Sequence, residues 1–398
     1  MSASVKKLRV GLLFGGRSGE HDVSLMSAAS VLKALDPAKY EVTPIGITRE
    51  GSWRVGPAAV NLLPSASASD LVRESVPAER MLPAVIESGK PVIASPDPTA
   101  PQLVPLSGTA TRAGALERST GRSAGATVDV IFPVLHGTFG EDGTVQGLLD
   151  LAGIPYVGAG VLASSTGMDK DVMKRLFRDA RLPVVPWVLV LRSEWEANAA
   201  RVRKRIEKQF RYPLFVKPAN LGSSVGISKV HNRRELGPAL YSAAKYDRKI
   251  LVEIAVDGRE IECSVLGNEN PEASVPGEIV PVNEFYDYEA KYVKEGSEAI
   301  IPARLTHAQT KRVRELAIRA FQAIDCEGMA RVDFLLDRRT GKIFVNEINT
   351  IPGFTTISMY PKLWEASGVP YSQLVDRLIE LALERHRDKL RTRYDYRF

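Results

Sequence analysis

Short apolar runs alternate with amphipathic stretches along most of this chain, and glycine- and proline-bearing breaks separate them. Leu8 to Phe14 reads as a buried strand and Gly15-Gly16-Arg17-Ser18-Gly19 as a turn. Glu20 to Leu35 follows as a helix, with Val23, Met26, Ser30 and Val31 or Leu35 on one face. Tyr40 to Thr48 reads as the next strand, so the opening predicts a parallel α/β domain. The pattern collapses from Pro57 to Pro105, where nine prolines accompany a Ser-Ala-Ser-Ala-Ser run at 65–69. Residues 56–126 are therefore expected to be an insertion of loops and short pieces, with Leu82–Ile86 and Val92–Ala94 as candidate strands. Val128 to Leu135 resumes a buried strand.

Beyond residue 160 the elements are predicted more sharply. Asp169 to Ala180 and Glu194 to Gln209 have helical spacing, and Leu214 to Lys217 is a short strand. Ile250 to Val256 is a strand, and Asp257-Gly258 suggests a hairpin into Glu260 to Leu266. Thr306-x-x-Gln309 is a capping box for a helix carried on by Val313, Leu316, Ala320 and Ile324. Ser372 is the candidate cap of a last helix bearing Leu374, Leu378, Leu381 and Ala382.

At 398 residues the chain is long enough for two or three domains and a core that needs no staples. Its two cysteines, Cys263 and Cys326, sit in apolar surroundings and are expected to be buried thiols, which suits a reducing cytoplasm. Two cysteines and five scattered histidines do not make a common zinc site. No apolar stretch approaches the length of a membrane span, and Val10 to Phe14 is too short for a signal sequence. The net charge of +6 comes from 53 bases interspersed with 47 acids, which favours a small anionic substrate over nucleic acid.

The strongest chemical signal lies at 328–350. Gly328 to Asp337 and Lys342 to Asn349 read as paired strands joined at Arg339-Thr340-Gly341, a three-residue turn that would set position 338 against 342. That register pairs Asp333 with Glu347 and Arg331 with Asn349, all four on one face. Facing carboxylates repel unless a cation compensates. Two carboxylates and an amide oxygen suit Mg²⁺, with Mn²⁺ possible; a solvated face on which Arg331 neutralises Asp333 is the alternative. Lys217-Pro-Ala-Asn-Leu-Gly-Ser-Ser-Val-Gly226 places a lysine and a small-residue loop where phosphate oxygens could be cradled, although no Walker motif occurs. Glu253, Val256 and Glu260 form a candidate nucleotide edge, and His136 ends a strand where α/β ligands sit. Gly158-Ala-Gly160-Val-Leu-Ala163 matches a dinucleotide fingerprint, but it lacks the preceding long strand and the ribose-binding acid.

Taken together, these motifs resemble the D-alanine–D-alanine ligases of the ATP-grasp superfamily, from Val10 to about Arg385. The matching segments are Gly15 to Leu25, Leu135 to Gly147, Met168-Asp-Lys170, Val216 to Gly226, Phe285 to Tyr292, Arg331-Val-Asp333 and Asn346 to Gly353. The resemblance implies an α/β and α+β protein of three-domain ATP-grasp architecture with an N-terminal parallel-sheet domain. The expected divisions are 1–160, 161–253 and 254–398. It also implies ATP-driven ligation of two D-alanines through an acyl phosphate, for peptidoglycan precursors, in a cytoplasmic homodimer.

By the same resemblance, Lys170 and Lys217 would hold ATP phosphates under the loop bearing Ser223 and Ser224. Glu253, Val256 and Glu260 would take adenine and ribose. Asp333, Glu347 and Asn349 would hold two Mg²⁺ ions. Glu20 would meet the ammonium of the first D-alanine, with His136 near its carboxylate. Arg331 and the Gly353 N–H would steady the tetrahedral oxyanion, and Ser358 and Met359 would contact the second D-alanine. Ser223 and Tyr292 would link to Glu20 and latch a lid. Tyr292 stands where D-lactate-preferring relatives usually carry histidine, which points to an amine as the second substrate. A D-lactate or D-serine ligase, or a non-catalytic nucleotide-binding module, is the alternative. The 56–126 stretch departs from the compact family pattern, and the tail beyond Arg385 has no expected role.

Overall fold

A computed structural model describes residues 6–56, 78–99, 103–105, 127–222, 225–280 and 298–393. Three sheets organise them.

The first sheet is built from β1 (Leu8–Gly15), β2 (Tyr40–Ile47), β3 (Trp53–Val55), β4 (Lys90–Ala94), β5 (Leu103–Pro105) and β6 (Val130–Pro133), in the order β5-β4-β3-β2-β1-β6. Its helices are α1 (His21–Ala34), α2 (Ala78–Ser88) and α3 (Thr144–Leu151). Only β2, β1 and β6 run parallel; β3, β4 and β5 add an antiparallel edge. The expected parallel sheet is therefore a mixed one, because described parts of the proline-rich stretch extend the sheet. Leu82–Ile86 is helical rather than a strand: Leu82 and Val85 are fully buried, and α2 packs on α1 and β2. Pro83 reads locally as a breaker, but burial of that apolar stripe outweighs it.

Helix α1 buries Val23, Ser24, Ser27, Ala28 and Val31, while Met26 is about half exposed. Its inner face is thus set by small residues. Ser24 Oγ accepts from Gly15 N at 2.8 Å and donates to Val134 O, which ties the helix to two strand ends. The turn before it needs glycine. Gly15 has φ +88°, and a Cβ there would lie 2.2 Å from Ile47 O.

Two helices, α4 (Val161–Met168) and α5 (Lys170–Asp179), lead to the second lobe. Its sheet runs β7-β10-β8-β9, from β7 (Trp187–Leu191), β8 (Leu214–Pro218), β9 (Ser228–Val230) and β10 (Lys249–Ile254). Helices α6 (Arg192–Ala197), α7 (Ala199–Gln209) and α8 (Arg233–Tyr246) accompany it. The single helix expected over Glu194–Gln209 is two, because Asn198 leaves the helical region and caps α7 by accepting from Arg201 N at 2.9 Å.

The third lobe has β11 (Gly258–Gly267), β12 (Glu272–Ala273), β13 (Gly277–Val280), β14 (Glu298–Ile300), β15 (Gly328–Asp337) and β16 (Ile343–Asn349). Their main order is β14-β13-β11-β15-β16, with β12 on β11. Helices α9 (His307–Ala323), α10 (Met359–Ala366) and α11 (Tyr371–Lys389) complete it. Asp257-Gly258 is not a hairpin. Strand β10 is already paired on both sides, with β7 and β8, so the chain crosses there to the other sheet. The Thr306–Gln309 capping box forms as expected, whereas α11 is capped by Pro370 rather than Ser372.

Helix α9, α5 and one face of the third sheet share a core that includes Phe177, Phe321, Val332, Phe334 and Ile348. Leu374, Leu378 and Leu381 of α11 join the core of the first sheet. Cys263 and Cys326 are both buried free thiols, and burial pushes Cys263 up to about 12. Among the described residues no helix is long and apolar enough to cross a membrane.

Candidate active site

Asp333 pairs with Glu347 and Arg331 with Asn349, as the residue pattern predicts, but by a different route. The connection spans four residues, 338–341: Asp337 N–H donates to Lys342 O at 2.9 Å, and Gly341 has φ +69°. Leu336 faces Ile343, one position off the expected register. A β-bulge after Asp333 restores it, and Asn346 and Glu347 consequently both lie partly open on the strand. Turn length and bulge compensate, so the carboxylates still meet.

Arg331 grips Asp333 with a fork, Nε to Oδ1 at 2.7 Å and Nη2 to Oδ2 at 2.8 Å. It also lies 3.1 Å from Glu262, the residue across β11 from Asp333. Burial would lower the Arg331 pKa, but Asp333 and Glu262 outweigh it and hold the guanidinium charged. Asn349 Nδ2 donates to Asp333 Oδ2 at 2.9 Å. Lys170 Nζ stands 3.5 Å from Glu347 and donates to Leu221 O at 2.9 Å. The four-residue face is therefore a partly buried wall on which one arginine faces two carboxylates.

Opposite it, β8 supplies Lys217 and α5 supplies Lys174. Glu253 is buried, with one oxygen 2.6 Å from Lys217 Nζ and the other 2.9 Å from Lys174 Nζ. Burial would push its carboxyl up, yet the two lysines hold it below the usual carboxylate range. Burial pushes the Lys174 ammonium down. Between the sheets lies a cavity of about 770 Å³ lined by Lys217, Glu253, Val256, Glu260, Asp333 and Glu347, among others. Its volume and polar walls suit a nucleotide.

A second cavity, about 100 Å³, is lined by Glu20, His136, Glu141, Lys170, Gly222, Arg331, Glu347, Asn349 and Gly353, among others. Glu347 lines both cavities. Glu20 opens α1, and a Cβ on Gly137 would lie 2.9 Å from its Oε2. A Cβ on Gly222, next in sequence to Ser223, would lie 3.3 Å from the same oxygen. His136 Nδ1 is 3.3 Å from Ile351 O, and its Nε2 is 3.1 Å from Ser27 Oγ. The carbonyl can only accept, so the network assigns Nδ1–H and an accepting Nε2. Burial pushes this imidazole below its ordinary value.

Ser223, Ser224 and Tyr292 lie outside the described residues. Ser358 caps α10 and its Oγ is 2.7 Å from Thr355 Oγ1. Neither Ser358 nor Met359 lines the small cavity; the Met359 side chain packs in a buried cluster with Ile279 and Leu363. Lys174 and Glu141 were not singled out from the sequence. Lys174 follows Lys170 by one helical turn, a spacing that places both on one face. Glu141 carried its signal in Gly140-Glu-Asp-Gly143: it is half-buried, and its Oε2 accepts from Gly137 N at 2.8 Å. Burial and the nearby Glu20 hold its carboxyl well above the usual range.

Two sheets closing on a nucleotide-sized cavity, lysines on one wall and paired carboxylates on the other, define an ATP-grasp enzyme. The family models for the D-ala D-ala ligase N-terminus and C-terminus match residues 9–159 and 176–380. The chain belongs to the D-alanine–D-alanine ligase family. It is 49% identical to a D-alanine–D-alanine ligase of Heliobacterium modesticaldum, over 97% of each chain. It is 51% identical to one of Thermoanaerobacter pseudethanolicus, over 97% of this chain and 99% of that one. The solved D-alanine-D-alanine ligase of Coxiella burnetii superposes with a TM-score of 0.80 at 36% identity, covering 97% of each chain. The VanG D-Ala:D-Ser ligase of Enterococcus faecalis gives 0.79 at 34% identity, covering 95% of this chain and all of that one.

Proposed function

We propose that this chain joins two D-alanines at the expense of ATP, giving D-alanyl-D-alanine, ADP and phosphate for peptidoglycan precursors. The carrying observation is that Glu347 belongs to both cavities, so a nucleotide's terminal phosphate and a small amino acid would meet at one carboxylate. A carboxylate oxygen of the first D-alanine attacks the γ-phosphorus and ADP leaves. The free amine of the second attacks the resulting acyl carbon, phosphate leaves, and the amine's proton is released.

Lys170 and Lys217 neutralise phosphate charge as the bond to ADP breaks. Val256 and Glu260 line the nucleotide cavity, where adenine and ribose would lie. Glu253 acts there mainly as the anchor of Lys217 and Lys174, since each of its oxygens faces one of them. Glu20 receives the first substrate's ammonium, and neutral His136 lies beside its carboxylate. Arg331 and the N–H of Gly353, both lining the small cavity, face charge that develops at the acyl carbon. Ser358 would reach the second D-alanine from beside Gly353, where its Oγ lies 2.8 Å from the place of a Cβ. The Met359 side chain contributes packing beneath that site. Ser223 and Tyr292 complete the proposal as lid contacts to Glu20.

The donor set of Asp333, Glu347 and Asn349 fits Mg²⁺ or Mn²⁺, being hard oxygens beside a phosphate-sized cavity. Asp333's oxygens are engaged by Arg331 and by the amide nitrogen of Asn349, so Asn349 would turn its amide to offer oxygen. Bound there, the metal would neutralise the phosphate oxygens. Family membership supports a cytoplasmic homodimer as the working assembly, checked by light scattering of the purified chain.

The test is ADP formation by the purified chain with MgATP and D-alanine, the dipeptide being identified by mass. D-Alanine alone is expected to suffice, with added D-lactate or D-serine scarcely incorporated at neutral pH. Preferential formation of D-alanyl-D-lactate or D-alanyl-D-serine would replace the reading with a ligase of that second substrate. An absence of D-alanine-dependent ADP would overturn it.

A further inference from the structure

Below the phosphate-facing lysines lies a partly buried polar knot that the reaction does not use. Lys249 starts β10 and is 7% exposed. Its ammonium reaches Asp169 Oδ1 at 2.8 Å, Asp169 Oδ2 at 2.9 Å and Asp171 Oδ2 at 3.2 Å. Asp169 caps α5 by accepting from Asp171 N and Val172 N, each at 3.1 Å. That helix begins with Lys170 and carries Lys174.

The same knot holds the root of the glycine loop. Ala219 N donates to Lys249 O at 3.0 Å, and Lys170 N donates to Ala219 O at 3.1 Å. Asn220 Nδ2 donates to Asp169 Oδ2 at 3.3 Å and to Asp247 Oδ2 at 2.9 Å. Asn220 N also donates to Asp247 Oδ2, at 2.8 Å, and Leu221 O accepts from Lys170 Nζ. Residues 219–221 are thus fixed between the start of α5 and the start of β10.

We propose that Lys249 and Asn220 are positioning residues for ATP, through the juxtaposition of the Asp169 cap, Lys170 and the loop root. The claim rests on Lys170 and the loop gripping the phosphates. Lys249 neutralises two carboxylates that would otherwise repel at the first turn of α5. Asp171 keeps other partners, Trp187 Nε1 at 3.0 Å and Arg175 at 3.0 Å, but Asp169 has Lys249 as its only ion-pair partner among the described residues. Removing that ammonium leaves the Asp169 carboxylate only the neutral N–H donors of Asp171, Val172 and Asn220, so it shifts, and with it the start of α5 and Asn220. Lys170 is then displaced from the loop root, and the phosphate grip loses its geometry although no group that touches ATP has changed.

The test compares the full chain with its Lys249→Met, Asn220→Leu and double variants. A non-hydrolysable ATP analogue with Mg²⁺ is titrated into each, and KM for ATP and for D-alanine is measured alongside melting temperature. Each single variant is expected to weaken analogue binding and raise KM for ATP about tenfold, as small misplacements of a gripping group do. KM for D-alanine should stay within about twofold, and the double variant should be little worse than either single one, because both act through one network. A lower melting temperature with unchanged analogue affinity in Asn220→Leu would overturn the proposal, and that variant decides alone if Lys249→Met does not fold. Analogue binding by the parent chain without D-alanine-dependent turnover would sink the ligase reading and leave this proposal standing on the affinities. No analogue binding by the parent chain would overturn both.

Discussion

Glu347 bears the most specific expectation at the level of single residues. Replacing it by Gln keeps the shape and removes the charge shared by the two cavities. Glu347→Gln should lower kcat about 100-fold or more, with the circular dichroism spectrum and melting temperature nearly unchanged. Near-normal turnover would remove Glu347 from the phosphate site. Glu141 behaves oppositely. Burial and Glu20 hold its half-buried carboxyl above the usual range, and its work is to accept from Gly137 N–H. Glu141→Gln preserves that acceptor, so kcat/KM should change less than about threefold, whereas Glu141→Leu leaves the Gly137 donor unpaired in a buried site and should cost far more. A large loss in Glu141→Gln would mean that the carboxylate is charged and used.

His136 adds a pH dependence whose sign follows from its burial. The folded chain keeps the imidazole neutral below its ordinary 6.5, while the unfolded chain takes up the proton as the pH falls through that value. The stabilisation from His136 is complete above about 6.5 and shrinks as the pH falls toward the folded value. Urea midpoints measured across that range should fall more steeply for the parent chain than for His136→Gln, whose residue does not titrate. Equal slopes would contradict a buried neutral imidazole. These residues were unequally legible. Asp333, Glu347 and Asn349 declare themselves because strand alternation converts spacing into a shared face. Glu141 and Lys174 do not, because burial, rather than residue type, gives each its character.

At the level of elements, patterns that depend on neighbours in sequence were readable and those that depend on neighbours in space were not. The Thr306 box, the 328–337 strand and the glycine turn after β1 are local, and they form where expected. Leu82–Ile86 is helical because α1 and β2 offer its stripe a surface, and the 257–258 crossing follows from both edges of β10 being occupied. The 333/347 register shows how local reasoning can reach a correct pairing through a turn one residue too short, since the compensating bulge has no clear sequence mark. Gly15 offers a test of an element junction. Gly15→Ala forces a positive φ on an L residue and drives its Cβ into the Ile47 carbonyl. The loss expected from strain and clash is about 2 kcal/mol or more in chemical denaturation. An unchanged midpoint would show that the β1–α1 turn relaxes freely.

Across the whole molecule, the site exists only because three lobes converge. Glu20 and His136 come from the first, Lys217 and Glu253 from the second, and Arg331, Asp333, Glu347 and Gly353 from the third. No single lobe carries both substrate walls, so recognition from sequence depended on several motifs in order along nearly the full chain. Their convergence on Glu347 makes one chemical outcome necessary if the reading is right: oxygen must pass from an amino-acid carboxylate to phosphate. The direct measurement uses D-alanine labelled with ¹⁸O in both carboxylate oxygens, in unlabelled water with MgATP, and reads the mass of the released phosphate. Each first-substrate turnover should place a single ¹⁸O in phosphate and leave the other in the new peptide carbonyl. Phosphate carrying no ¹⁸O, its fourth oxygen taken from water, and formed at the same rate with or without D-alanine, would contradict carboxylate activation at this site.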